Sequence, residues 1–199
     1  MKLYKSLTIN KLDEATIQLG TPHLELIQKA CTAFIQFLTP RISKEDIIIC
    51  LCGTGNNGVD GLFIANKLCA RGYRVEVLCL EAKIQLSKLY LEAKNIVLEC
   101  GIPLKVIHPM AGIGEIEHAD VIVDGIFGNG LNRPLSEQYV KIIENINKLN
   151  KRIYAIDIPS GMRAEGEIDD VILRCNATLA FQYPKLSFFH LHIKNNFSY

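Results

Sequence analysis

Short apolar runs alternate with longer amphipathic stretches along almost the whole chain. Ile47–Cys52 is an unbroken apolar run of strand length, rich in branched residues, and Leu62–Cys69 beyond it fits a helix. Upstream, Thr8 is placed to cap a helix through Leu19, stopped by Gly20, and Pro22 opens another that runs to Leu38 before Pro40. Downstream, the helix that starts at Leu62 closes at Gly72, and Tyr73–Leu80 reads as a strand. Ser87–Cys100 is helical, ended by Gly101 and Pro103. Leu104–His108 and Ala119–Ile126 are the next strands, and Leu135–Leu149 is an amphipathic helix with Val140, Ile143 and Ile146 or Leu149 on one face. Ile153–Ile158 and Ala177–Phe181 complete the set. Near-continuous apolar strands separated by helices predict a mostly parallel sheet covered on both faces, that is, an α/β protein built as a three-layer α/β/α sandwich. No linker, repeat or low-complexity segment interrupts residues 1–199, so a single domain is expected.

Composition narrows the function classes. The chain has 199 residues, 49% of them hydrophobic and 22% charged, which is ordinary for a globular protein with an extended core. Its net charge of +1 gives no electrostatic case for nucleic acid or an anionic membrane. Met1–Ser6 opens no signal-peptide core, and no apolar run approaches membrane length. The seven cysteines form no C-x-x-C pair and accompany no histidine cluster at zinc spacing. Cys50 and Cys52 share one face of their strand, and Cys69, Cys79 and Cys100 fall in apolar runs. They read as buried reduced thiols, and the expected compartment is the cytoplasm.

The chemistry concentrates after the first strand. Gly53, Gly55, Gly58 and Gly61 enclose Asn56, Asn57 and Asp60. A strand, a glycine turn and a helix N-terminus gather backbone N–H groups and side-chain amides around one small volume. Gly53-x-Gly55-x-x-Gly58 also satisfies the dinucleotide fingerprint, with Glu81 placed to be its ribose acid. Against that reading, Asp60 is expected in the first helical turn, where its charge would repel a pyrophosphate. Two amides and a carboxylate suit a hydroxylated ligand, or a cation held by oxygens. The plainer alternative is that Asn56 and Asn57 only supply left-handed turn geometry.

Other polar residues share this address. In an open parallel sheet, ligands bind beyond the carboxyl ends of the strands. Asp124 ends VIVDGIFG and Asp157 ends IYAIDIPSG, so three strand ends bring Asn56, Asn57, Asp60, Asp124, Asp157 and Ser160 to one edge. Asp124 could equally cap a following helix, whereas Pro159-Ser160-Gly161 after Asp157 looks like a fixed turn presenting a hydroxyl. Gly128–Pro134 adds a second glycine loop whose Arg133 either meets a ligand phosphate or is a solvated charge.

The segments GTGNNGVDG, VDGIFGNGLNRPL and AIDIPSG, in this order and spacing, resemble the NAD(P)HX epimerases, the YjeF N-terminal-domain family. The likeness runs from the Leu12-Asp13 helix to Tyr183-Pro184-Lys185. It implies a Rossmann-like sandwich, often a homodimer, that interconverts the R and S hydrates of NADH and NADPH and feeds a separate dehydratase acting on the S form. Carried over residue by residue, Asn56, Asn57, Gly58, Val59, Asp60, Gly128, Asn129, Gly130, Leu131, Asn132, Arg133, Pro134 and Asp157 would line the NADHX or NADPHX site. Asn57, Asp124 and Ser160 would hold a potassium ion, and their amide, carboxylate and hydroxyl oxygens are what a hard cation wants.

This sequence departs from the family pattern in places. Val59 replaces the usual glycine of the asparagine loop, which is expected to add a branched side chain near the ligand. Gln28-Lys29-Ala30-Cys31 stands where Glu-Asn-Ala-Gly is common. The sequence stops at Tyr199, after a tail with His190 and His192, which is either a genuine short end or the edge of a fragment of a longer protein. Residues 1–199 hold no dehydratase domain, so only the epimerase half is expected in them.

The substrate implied by the resemblance carries a hydroxyl on the reduced nicotinamide carbon next to nitrogen. If the ring nitrogen pushes electrons in, hydroxide leaves and water returns on the other face. Expulsion needs a proton donor and re-addition a base, roles one carboxyl can share, and Asp157 is the candidate. A nicotinamide-dependent oxidoreductase would need a substrate domain that the sequence does not provide. A non-catalytic nucleotide-binding or dimerisation scaffold of the same fold tends to lose the polar edge, whereas this chain keeps Asp124, Asp157 and the Asn56-Asn57 pair.

Overall fold

Six parallel strands form one sheet in the order β3-β2-β1-β4-β5-β6. They are β1 (Ile47–Cys52), β2 (Arg74–Leu80), β3 (Leu104–Ile107), β4 (Val121–Gly125), β5 (Arg152–Ile156) and β6 (Ala177–Leu179). The helices that flank the sheet among the described residues are α1 (His23–Leu38), α2 (Asn56–Cys69), α3 (Lys88–Glu99) and α4 (Glu137–Lys148). This is a computed structural model, and it describes residues 15–16, 18–20, 22–82, 85–111, 113, 116–165 and 171–189. Thr8, Leu12, Asp13, His190 and His192 lie outside the described residues.

The period-2 geometry of β1 explains why its sequence is apolar throughout. Ile48, Cys50 and Cys52 face one core with Val75, Val77, Cys79, Val121 and Val123, against α1, α2 and α3. Ile49 and Leu51 face the other, with Leu78, Ile122, Ile153 and α4. On the second face, the described part of the β3-to-β4 connection contributes Ile113, Ile116 and Ala119 to the core. The three-layer α/β expectation holds, with an all-parallel sheet.

Most elements fall within a residue or two of their expected bounds, and the deviations have local causes. The helix expected from Leu62 starts at Asn56, so the asparagines form its first turn. Glycine and asparagine are poor helix formers, and tertiary contacts override that preference here. Asp60 is therefore the fifth helical residue and not part of the first turn. Strand β5 ends at Ile156 instead of Ile158 because Asp157 adopts a left-handed backbone with φ 64°. On α4 the buried face is Ile142, Ile143 and Ile146, with Val140 only half-buried. Ser87 caps α3 by accepting from the Tyr90 N–H at 3.2 Å. All seven cysteines are free, but Cys100 is exposed and Cys69 half-buried, against the expectation for both.

Candidate active site

The strand order reverses between β1 and β4: β1 leads outward to β2 and β3, and β4 to β5 and β6. A crevice forms beyond the carboxyl ends at such a switch point. Here the two loops are locked together. Gly53 N–H donates to the Gly125 carbonyl at 3.0 Å, continuing the β1–β4 ladder into the loop. A Cβ on Gly53 would collide with the Ile126 carbonyl, and one on Gly58 with the Gly53 carbonyl. Both positions therefore need glycine for close backbone approach, whatever the loop binds.

Above this floor lies one continuous polar network. Asp124, the last residue but one of β4, is fully buried. Its Oδ1 accepts from the Ser160 hydroxyl at 2.6 Å and from Ile126 N–H at 3.2 Å, and its Oδ2 from Ser160 N–H at 2.8 Å. The Ser160 oxygen in turn accepts from Phe127 N–H at 3.0 Å. Asn57 Nδ2 donates to the Phe127 carbonyl at 2.8 Å, which directs its Oδ1 to the opposite side of the amide. Burial raises the Asp124 carboxyl from 3.8 to about 6, against the hydrogen bonds from Ser160 and Ile126, which pull the other way. An anion so enclosed has no cationic side chain among these partners. A cation fits the donor set, which is a carboxylate, a hydroxyl and an amide oxygen, with no soft ligand. Gly128 leaves it room: a Cβ there would lie 3.0 Å from Asn57 Cγ and 3.2 Å from Oδ1. Among the described residues no group of three or more His, Cys, Asp or Glu is placed to hold a metal, so a mixed oxygen set is the relevant chemistry.

Asp157 belongs to a second, adjoining cluster. Its left-handed backbone turns the chain out of β5 while its N–H still pairs with the Leu179 carbonyl at 2.9 Å. Its Oδ1 accepts from Lys185 Nζ at 2.7 Å and from Phe181 N–H at 2.9 Å. Lys185 is only 1% exposed and Asp157 8%, so this is a buried ion pair. Pro159-Ser160-Gly161 follows as a tight turn, with Gly161 at φ 93° and Ser160 O accepting from Leu173 N–H at 2.9 Å.

The remaining expected site residues spread around this centre. Asn56 is exposed, Asn57 and Gly58 are buried and Asp60 is half-buried on α2. Val59 does not border the loop surface as expected: it is 1% exposed and packs into the core under α1 and α3. Its spacing of three residues from Leu62 puts the two on one buried face of α2. In the second loop Gly128, Asn129 and Leu131 are half-buried, while Gly130, Asn132, Arg133 and Pro134 are exposed at the rim. Glu81, the ribose-acid candidate, is engaged by Lys94 at 2.6 Å and the Tyr90 hydroxyl at 3.2 Å. Two surface hollows elsewhere, one along α1 and one beside β2 and β3, contain none of these residues.

Sequence reasoning missed Lys185 and the Phe127 backbone. Lys185 had a signal, since it is the one cation within the apolar segment LAFQYPKLSFF. Phe127 acts through main-chain groups that its side chain does not announce.

Comparison with known proteins gives the site a context. The model of the family described as YjeF-related protein N-terminus matches residues 23–187. The chain is 33% identical over 191 residues to the bifunctional NAD(P)H-hydrate repair enzyme Nnr of Thermofilum pendens, covering 94% of this chain and 36% of that one. It is 31% identical over 182 residues to the NAD(P)H-hydrate epimerase of Rhodopirellula baltica, covering 90% and 74%. It thus spans about a third of the bifunctional relative and about three-quarters of the epimerase. The crystal structure of yeast ynu0 superposes with a TM-score of 0.82 over 99% of this chain and 86% of that one, at 22% identity, which shows the shared fold. Among the described residues no helix is long and apolar enough to cross a membrane.

Proposed function

The chain belongs to the YjeF-related protein N-terminus family, and on that footing we propose that it is an NAD(P)H-hydrate epimerase, an isomerase of nicotinamide nucleotide repair. The observation that carries the reading is the polar edge itself. Asn57, Asp124, Ser160 and Asp157 all stand at the carboxyl ends of β1, β4 and β5, and the first three share one hydrogen-bond network. The substrate is the hydrate of NADH or NADPH, with Asn56–Asp60 and Gly128–Pro134 as the two loops around it. Val59 contributes backbone alone, because its side chain is in the core. Arg133, exposed at the rim, would meet a ligand phosphate.

Asp157 carries the proton chemistry. As the C–O bond at the ring carbon beside nitrogen breaks, the nitrogen lone pair forms a C=N⁺ bond and the departing oxygen takes a proton from Asp157, leaving as water. Water then adds to the opposite face, the C=N⁺ electrons return to nitrogen, and the surplus proton goes back to Asp157. Atoms and charge balance without a redox partner. The two loops contribute by holding the ring so that both faces are addressed in turn.

Asn57, Asp124 and Ser160 would hold a potassium ion. Such an ion would supply a fixed positive charge to set against the Asp124 carboxylate. Further elements of the proposal are a homodimer, a cytoplasmic setting in keeping with seven free thiols, and a dehydratase that consumes the S hydrate. The last draws support from the bifunctional repair enzymes among the relatives.

The deciding experiment measures R-to-S conversion of NADHX and NADPHX coupled to an S-specific dehydratase, with the spontaneous epimerisation subtracted. A rate above background in the wild-type chain is the expected result. No such rate would overturn the reading in favour of a non-catalytic scaffold.

A further inference from the structure

The Lys185 ammonium has three N–H donors, and all three are taken. Besides Asp157 Oδ1 at 2.7 Å, it donates to the Phe181 carbonyl at 3.1 Å and to the Tyr183 carbonyl at 3.3 Å. Its side chain is almost wholly buried, delivered by the segment after β6 rather than by either ligand loop. An ammonium saturated in this way has no donor left for a ligand phosphate. The cage can only act on what it already holds, namely Asp157.

Burying a lone carboxylate costs several kcal/mol, and a lone ammonium as much. The pair persists here because each ion satisfies the other and backbone groups complete both shells. Phe181 takes part twice: its N–H reaches Asp157 Oδ1 and its carbonyl reaches Lys185 Nζ. The carboxylate is thereby tied to one side, with Oδ1 occupied by two donors. Its backbone is also fixed in an uncommon left-handed conformation, which needs surrounding structure to maintain it.

Resting on the epimerase reading, we propose that Lys185 is the positioning residue of this reaction. It acts through Asp157: it clamps Oδ1, so that Oδ2 is the oxygen that gives the proton to the substrate hydroxyl and takes it back, and it supplies the counter-charge for the carboxylate left once that proton has gone. Lys185 itself does not touch the substrate.

The test separates rate from binding. Lys185→Met should lower kcat about a hundredfold, the scale of one acid–base group lost from its working position. KM, and the affinity for NADPH as an unreactive probe, should move less than about threefold, since neither ligand loop is touched. Lys185→Arg, which keeps the charge and donors, should recover part of that kcat, whereas a packing role would give it no advantage over Met. Thermal melting supplies an independent readout. Lys185→Met should melt below the wild type, and Lys185→Met with Asp157→Asn should melt above Lys185→Met, because the second change removes the stranded carboxylate. If Lys185→Met does not fold, Lys185→Gln, which donates hydrogen bonds without a charge, takes its place with the same expectations. Wild-type kcat in the Met or Gln variant of an active enzyme would overturn this inference alone. So would equal losses in kcat and NADPH affinity. A wild-type chain with no epimerase activity would overturn the epimerase reading, and this inference with it.

Discussion

Ser160 gives Asp124 both of its donors, the hydroxyl to Oδ1 at 2.6 Å and the backbone N–H to Oδ2 at 2.8 Å. One residue of the turn after β5 thereby closes both oxygens of the carboxylate next to the last residue of β4. The Ser160 oxygen passes the connection on to Phe127, and the Phe127 carbonyl receives Asn57 from the start of α2. The three strand-end loops are thus one mechanical unit, and a change at any of these residues is expected to reach the other two.

The pH dependence of Asp124 follows from its burial. Its folded carboxyl titrates at about 6, raised from 3.8. Between those values the folded state keeps a proton that the unfolded state has released. The contribution to stability is therefore fully present below about pH 4 and lost as pH rises through about 6. A cation beside Asp124 favours the carboxylate, so it reverses that loss. Potassium should raise the melting temperature more than tetramethylammonium does, and the gain should be larger at pH 8 than at pH 5. In Asp124→Asn both the potassium gain and its pH dependence should vanish. The same gain at the two pH values, or its survival in the variant, would remove the ion from this site.

The glycine loop is tested by position. Gly58→Ala should destabilise by upwards of about 3 kcal/mol, because the new methyl meets a backbone carbonyl that cannot rotate away. Gly55→Ala, three residues earlier in the same motif, meets nothing within 4 Å and has φ −95°, so its effect should stay within about 0.5 kcal/mol. Chemical denaturation of the two variants checks the contrast. Comparable losses would mean that the loop packs differently from the structure.

These contrasts show what the sequence could and could not disclose. The strands were legible because a parallel sheet buried on both faces demands unbroken apolar runs, and Ile47–Cys52 supplies one to the residue. Asp124, Ser160 and Asn57 could be assigned to one edge from strand-end position alone. The start of α2 could not, since Asn56, Asn57, Gly58 and Gly61 lack helix propensity and become helical through packing on β1. Nor could Lys185, whose role depends on a segment folding back from β6 onto the end of β5. Such long-range polar pairing leaves no periodic trace.

Val59 illustrates a reading that position in a motif suggests and packing corrects. Its side chain is buried with Leu62 and Phe34 in the core beneath α1. Val59→Ala should therefore cost about 1–3 kcal/mol of stability, slightly offset by the higher helix propensity of alanine. Nucleotide affinity should not change. Calorimetric binding of NADPH together with a denaturation curve distinguishes this from a ligand contact, which would weaken binding and leave stability intact.

Asp157→Asn bears most directly on the chemistry. Amide and carboxylate have nearly the same shape, so the left-handed turn and the bond from Phe181 N–H can survive through the amide oxygen. What is lost is the ability to exchange a proton, together with the charge facing Lys185. The buried ammonium is left without its counter-ion, so the variant should also melt at a lower temperature than wild type. The enzyme-dependent epimerisation rate should fall by about a hundred- to ten-thousand-fold. NADPH affinity measured below the lowered melting point should remain, because the two glycine loops still surround the ligand. A variant that retained most of its rate above the spontaneous background would reduce Asp157 to a positioning role. The proton would then have to pass through Asp60 or Asp124, and Asp124, with its carboxyl at about 6 and a hydroxyl 2.6 Å away, would be the next residue to replace.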